Sequence, residues 1–312
     1  HHFPFSYTWV SFISTIFDPS IVSYRLSLLL LRIVLFYAAM RISKNTLVIG
    51  LTSLAWSLIG PMYLGNMLVY YSFDAILITS SSFVVLAILN KETPYSISRV
   101  FFASLLVGFA VLNDPIMAFP GIVILLFLAF SGYQKRQKRK QIFTLTTLPF
   151  IFASLVPILY IFYLVVTSNL NDFIQNAILF NTNVYSRYTG PIFSFSRLVD
   201  GIIQGLNLLN PSIWKYLGPY YLWDDFRYLE NWAFSAPLFR LSIIIASLML
   251  ILKKKYLSGI FTYLLGSMLF FRGFSAFHGS PFVLFSLVAA SFVLLNSCLE
   301  ILSILASNQP VS

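Results

Sequence analysis

The feature that most constrains this chain is a succession of long apolar runs that do not alternate with polar residues. Nine can be delimited: Ser23–Met40, Thr46–Gly60, Met67–Leu89, Ile97–Leu112, Ile116–Ser131, Ile142–Val166, Pro237–Leu252, Tyr256–Phe271 and Phe282–Ile301. A helix needs about 20 apolar residues to cross a bilayer, and fewer where the bilayer thins. Inside lipid every backbone N–H and C=O must be satisfied internally, which leaves helices or closed barrels. The runs lack the period-two pattern of barrel strands, so they read as helices. Composition points the same way. The chain is 58% hydrophobic and only 10% charged, against about 25% charged residues in soluble domains. The expected fold is all-α: a polytopic transmembrane helical bundle of about nine spans, with residues 1–312 forming one transmembrane domain.

The net charge of +10 does not imply nucleic acid, because the basic residues sit mainly in short loops between apolar runs. Alternate loops carry Arg41 and Lys44, then Lys91 and Arg99, then the run Lys135–Lys140, then Lys253–Lys255. The opposite loops carry Asp18, Asp114, Asp172, Asp200, Asp224, Asp225 and Glu230. Loops rich in lysine and arginine stay cytoplasmic, so the acidic loops are expected outside. The outer face then comprises the opening HHFPFSYTW, the loop GPMYLGN, the turn Asn113-Asp114-Pro115, the long segment Thr167–Ala236 and the loop RGFSAFHGSP. The long segment holds Trp214, Trp223 and Trp232, residues that favour the membrane interface. Within it, Asp172–Phe180 and Ser196–Leu209 read as short amphipathic helices lying on the outer surface.

Few residues carry recognisable chemistry. Arg272 and His278 bracket a glycine-containing outer loop, FFRGFSAFHGSPF. A guanidinium fork suits phosphate and histidine adds a donor; the alternative is an arginine snorkelling at a helix end. Tyr185, Arg187 and Tyr188 suit either a phosphate or sugar surface or a plain interfacial belt. Asp74 lies about one turn inside a span, where a carboxylate needs a partner or water. Arg25 and Arg32 are the candidate partners in a structural ion pair. Asp224 and Asp225 form the sole adjacent acid pair. They suit a divalent metal or a general base, or simply a solvated loop beside Arg227. Asp114 and His2 complete the possible outer-face ligands, although the adjacent His1 and His2 are poor evidence for metal because neighbouring side chains diverge. No glycine-rich phosphate loop, Ser-His-Asp set or zinc spacing is present, so no cofactor is assigned beyond a possible divalent ion. With Cys298 as the lone cysteine, no intrachain disulfide can form.

Four stretches of this outer face resemble the GT-C glycosyltransferases that use polyprenyl-phosphate sugars, in the branch of the protein O-mannosyltransferases and lipid A aminoarabinose transferases. HHFPFSYTWVSFISTIFDPSIVSYRLSLLLLR is similar to the family's His-Pro-Pro-aromatic segment and the arginine that opens its next span. YYSFDAILITSSSFVVLAIL looks like its Thr/Ser-Asp-apolar span. SLLVGFAVLNDPIMAFPGIVILL resembles its Gly-rich helix, turn and Pro-containing helix, and FRGFSAFHGSPFVLF its late outer loop with cations. In that family the catalytic carboxylate lies upstream of the His-Pro segment, where this chain begins, and Phe3-Pro4 stands in place of paired prolines. The resemblance therefore implies that a first span and an acidic first outer loop precede His1 in the natural protein.

The function so implied is transfer of a sugar, with inversion, from a polyprenyl-phosphate carrier to a glycan, lipid or protein acceptor. It would take place on the extracytoplasmic side of the plasma membrane of a bacterium or archaeon. Arg272, His278 and Arg187 would meet the departing lipid phosphate. Two rival expectations remain: a lipid or solute transporter, which should show matching halves and broken helices, and a noncatalytic membrane assembly subunit.

Overall fold

A computed structural model describes residues 4–44, 49–50, 53–54, 70–135, 140–179, 183 and 244–269. All regular structure among the described residues is helical. The chain divides into two compact units, residues 1–44 with 66–199 and residues 45–65 with 200–312.

The first unit contains α1 (Pro4–Ile16), α2 (Ile21–Ser43), α3 (Tyr70–Leu89), α4 (Ile97–Asn113), α5 (Ala118–Gln134), α6 (Lys140–Val166) and a short α7 (Leu170–Phe173) that runs into a π-helical turn, Ile174–Leu179. α2 starts where Ser20 and Ser23 form a reciprocal capping box: the Ser23 N–H donates to Ser20 Oγ and the Ser20 N–H donates to Ser23 Oγ. Such a cap is worth about 1 kcal/mol. α4 opens on Ser96, whose hydroxyl accepts from the Arg99 N–H. It stops at Asn113 because Pro115 follows Asp114, and a residue before proline is pushed out of the helical region. Asp114 accordingly sits at φ −145°, ψ 115°. A 3-10 turn, Pro115–Met117, then leads into α5.

α3 is the hub. Every residue from Phe73 to Ile88 is buried, because α2, α4 and α5 all pack against it. A helix enclosed on every side has no polar face to offer water. α6 is arranged differently. It packs along α4 and α5, while its other side exposes Phe143, Leu159, Phe162 and Val166 at 76%, 64%, 65% and 66%.

α6 carries two internal prolines, Pro149 and Pro157. Each removes the N–H that would have bonded the carbonyl four residues earlier, so the carbonyls of Leu145 and Ala153 are left without their intrahelical donors. The neighbouring helices answer both. Tyr95 donates its hydroxyl to Leu145 O at 3.1 Å. Gly108 of α4 brings its bare backbone onto Ala153 O, so closely that an added Cβ would overlap the oxygen. A Cβ on Gly132 of α5 would lie 2.7 Å from Leu145 O and 2.8 Å from the Tyr95 hydroxyl. Small residues thus let three helices close over two proline-exposed carbonyls, a packing device that lipid-embedded helices favour. Phe101 and Phe152 add an edge-to-face contact at 5.1 Å across the α4–α6 seam.

Among the described residues two helices, Val22–Ser43 and Phe143–Val166, are long and apolar enough to cross a membrane. At 1.5 Å per residue the second, of 24 residues, is about 36 Å long, against a hydrocarbon core of roughly 30 Å. Four shorter apolar helices accompany them: Phe73–Leu89, Ile97–Asn113, Ala118–Gln134 and Tyr256–Gly266.

The opening segment, expected only as a piece of the outer face, is a helix: Pro4–Ile16 packs on α2 and α4. Pro4 is its first residue, where the fixed φ of proline suits helix initiation. Of Asp172–Phe180, expected to be helical, residues 172–179 fall on the α7 and π-helical turns, and Phe180 lies outside the described residues. Ser196–Leu209, Thr46–Gly60 beyond its few described residues, and Phe282–Ile301 lie outside the described residues.

In the second unit, residues 244–252 form a helix and α8 (Tyr256–Leu269) follows. Their turn is closed by bonds from Lys254 N to Ile251 O and from Lys255 N to Leu250 O. The two helices cross tightly at Gly259, where a Cβ would lie 2.8 Å from Ser247 O.

Candidate functional site

The two ends of the first unit differ in chemistry. At one end Arg99 donates through Nε to Ile42 O at the end of α2 and through Nη1 to Pro94 O and Ser96 Oγ, all at 3.0 Å. Lys135, closing α5, donates to Tyr95 O and stands 5.9 Å from the centre of its ring. Tyr95 in turn reaches Leu145 near the start of α6. The ends of α2 to α6 therefore meet around one set of basic and backbone groups. Burial between these helices pushes the Tyr95 phenol up to about 12, so it remains a donor at any ordinary pH.

The opposite end is acidic. Asp18 precedes α2, Asp74 lies near the start of α3 and Asp114 ends α4. Asn113 donates through Nδ2 to Asp74 Oδ1 at 2.8 Å. Asp74 is 0% exposed, Asn113 1% and Asp114 4%. A carboxylate buried in a low-dielectric interior costs several kcal/mol unless it is paired or hydrogen-bonded. The Asn113 amide supplies a hydrogen bond to it without supplying a neutralising charge. Chemically, such a pair fixes the direction of a carboxylate and holds two helices together at that point.

Below Asp74 the hub helix carries Thr79, Ser80, Ser81 and Ser82, all buried. Thr79 and Ser82 donate back to Ala75 O and Ile78 O, the latter at 2.6 Å. Ser81 crosses to α4 and donates to Ala103 O at 2.9 Å. Arg32 of α2 is buried, whereas Arg25 is exposed.

Of the residues singled out in the sequence, the structure brings together Asp74 and the Asn113-Asp114 turn. Asn113 was not expected as the partner of Asp74; a contact between residues 39 apart leaves no trace in local periodicity. The available hint was that both positions fall near the outer ends of their runs. His2, Tyr185, Arg187, Tyr188, Asp224, Asp225, Arg272 and His278 lie outside the described residues. Among the described residues no group of three or more His, Cys, Asp or Glu side chains is placed to hold a metal ion. Comparison with protein-family models, with curated proteins and with solved structures finds no match in any of the three.

Proposed function

We propose that this chain is the membrane-embedded body of a glycosyltransferase that moves a sugar from a polyprenyl-phosphate carrier to an acceptor on the outer side. In this reading the bundle has about nine spans and lies in the plasma membrane of a bacterium or archaeon, with its basic helix ends in the cytoplasm. What supports it is one observation. Asp74 and the Asn113-Asp114 turn, which come from two of the four stretches carrying the family resemblance, meet at the acidic end through a 2.8 Å hydrogen bond. There Asp74 acts as a positioning residue that locks α3 to the turn after α4.

The chemistry follows ordinary acyl-free group transfer. An acceptor hydroxyl attacks the anomeric carbon, the bond from that carbon to the phosphate oxygen breaks, and a carboxylate takes the hydroxyl proton. The lipid phosphate departs as an anion, stabilised by Arg272, His278 and Arg187, with Tyr185 and Tyr188 flanking the sugar. No metal is required by this scheme.

Glycosyl transfer by the full-length protein tests it, with expression measured in parallel. Arg272→Ala should lose on the order of 1.5–3 kcal/mol of donor interaction, roughly ten- to a hundredfold in kcat/KM. Arg272→Lys should recover only part, because a point charge replaces a planar fork. Undiminished transfer by a well-expressed Arg272→Ala protein would refute the assignment. A transporter reading has one feature in its favour, the buried polar run of Asp74 and Thr79–Ser82 along the hub helix. Solute uptake into vesicles without sugar transfer would select it instead.

A further inference from the structure

Four residues other than glycine have a positive φ among those described: Lys44 at 62°, Lys91 at 60°, Lys254 at 60° and Ser168 at 59°. All four close a helix. Lys44 N bonds Met40 O; Lys91 N bonds Ile88 O while Glu92 N bonds Ala87 O; Lys254 N bonds Ile251 O while Lys255 N bonds Leu250 O; Ser168 N bonds Val165 O while Asn169 N bonds Leu164 O. The last three are Schellman closures, in which the left-handed position is normally glycine because any Cβ is strained there. At this position the chain uses lysine three times over.

The backbone alone does not explain that choice, since glycine would close the same turns with less strain. Helix ends do favour cations, but neighbouring cations already serve the backbone. Arg99 holds Ile42 O and Pro94 O, and Lys135 holds Tyr95 O. The side chains of Lys44, Lys91 and Lys254 are exposed and take no partner among the described residues. In the first unit the Arg99 bridge, which spans the end of α2 and the loop after α3, sets Lys44 and Lys91 at one end of the bundle, beside the exposed Arg41. Glu92 is the acid at that end among the described residues.

We propose that Lys44 and Lys91 form a docking surface for the phosphate head groups of anionic phospholipids, and that Lys254 repeats the device locally in the second unit. The proposal rests on the chain being embedded in a membrane, and not on its being a glycosyltransferase. A lysine at the left-handed position leaves the helix axis just where the apolar run stops, so its ammonium stands at the level where lipid phosphates begin. Basic residues at that level gain roughly a factor of five each from an anionic surface. The left-handed turn adds direction: the flexible stem starts from a fixed point instead of from a fraying helix end.

The test uses the full-length protein in neutral detergent, titrated with phosphatidylglycerol and separately with phosphatidylcholine, with bound lipid read by native mass spectrometry. The expected result is preferential retention of phosphatidylglycerol, falling about thirtyfold in Lys44→Gly/Lys91→Gly, while Lys44→Arg/Lys91→Arg keeps it. The glycine variant relaxes the backbone, so its thermal midpoint should be unchanged or higher, and loss of lipid cannot then be ascribed to misfolding. Wild-type preference in a well-folded glycine variant overturns the proposal. So does displacement of the lipid by millimolar inorganic phosphate, which would mark a site for free anions. Release of the protein from membranes by alkaline carbonate would sink the membrane reading itself, and is distinguishable from either.

Discussion

Gly108→Ala sets two well-known effects against each other at one position. In an unencumbered helix, alanine in place of glycine gains about 1 kcal/mol. Gly108, however, lies within α4 against Ala153 of α6, where the added methyl would overlap the carbonyl oxygen and come within 3.2 Å of the Ala153 carbonyl carbon and Val156 Cγ2. The obstacle is backbone, freed by Pro157 and fixed in its helix, so no side chain can swing aside. The helices must part, at the typical 1–3 kcal/mol of overpacking, and the Cα–H contact to Ala153 O, worth about 0.5–1 kcal/mol, goes with them. Net destabilisation of about 1–2 kcal/mol is expected, a fall of roughly 2–6 °C in thermal midpoint for a chain of this size. Gly50→Ala is the control, since a Cβ there meets nothing within 4 Å; it should be neutral or mildly stabilising. Thermal unfolding in detergent, followed by circular dichroism, reads both. If Gly108→Ala is as stable as Gly50→Ala, the close crossing of α4 over the Ala153 carbonyl is wrong.

Other perturbations follow from the same contacts. Tyr95→Phe leaves Leu145 O without its donor and should cost about 1–3 kcal/mol. Because the folded phenol ionises only near 12, against about 10 when unfolded, its stabilisation is complete below pH 10 and is lost between pH 10 and 12. A stability–pH profile should therefore fall on that alkaline limb in the wild type and be flatter in Tyr95→Phe; equal slopes would contradict it. Asn113→Ala removes the amide from buried Asp74 and should cost about 1.5–3 kcal/mol in urea or thermal unfolding, and adding Asp74→Asn should recover part of the loss. Ser81→Ala removes a single interhelical bond to Ala103 O and should cost only about 0.6 kcal/mol, as is usual between membrane helices; a loss above 2 kcal/mol would mean that the α3–α4 seam depends on this hydroxyl.

The helices were the most legible part of the sequence because their cause is local. The runs Ser23–Met40, Ile97–Leu112 and Ile142–Val166 correspond to α2, α4 and α6 within a few residues at each end. Pro149 and Pro157 did not interrupt α6, because the carbonyls they expose are met from outside by Tyr95 and Gly108, partners about 50 residues away that no local pattern predicts. The Asn113-Asp114-Pro115 turn was legible from the pre-proline rule, whereas the hydrogen bond from Asn113 to Asp74 was not. α1 was not read as a helix because its segment is too short and too aromatic to stand out as an apolar run; it packs on α2 and α4. The separation of basic from acidic helix ends could be read directly from loop composition, since it depends on sequence position alone.

The membrane-embedded, oriented bundle is tested most directly by labelling the two ends of α6 in intact cells with a membrane-impermeant maleimide. In a Cys298→Ser background, cysteine is placed at Tyr133, which is exposed at the basic end ahead of α6, or at Asn171, which is exposed just beyond its other end. The expected result is labelling at residue 171 in intact cells, with residue 133 labelled only after lysis. Labelling of residue 133 alone would reverse the orientation, and labelling of both or of neither before lysis would contradict a chain that crosses the membrane between them.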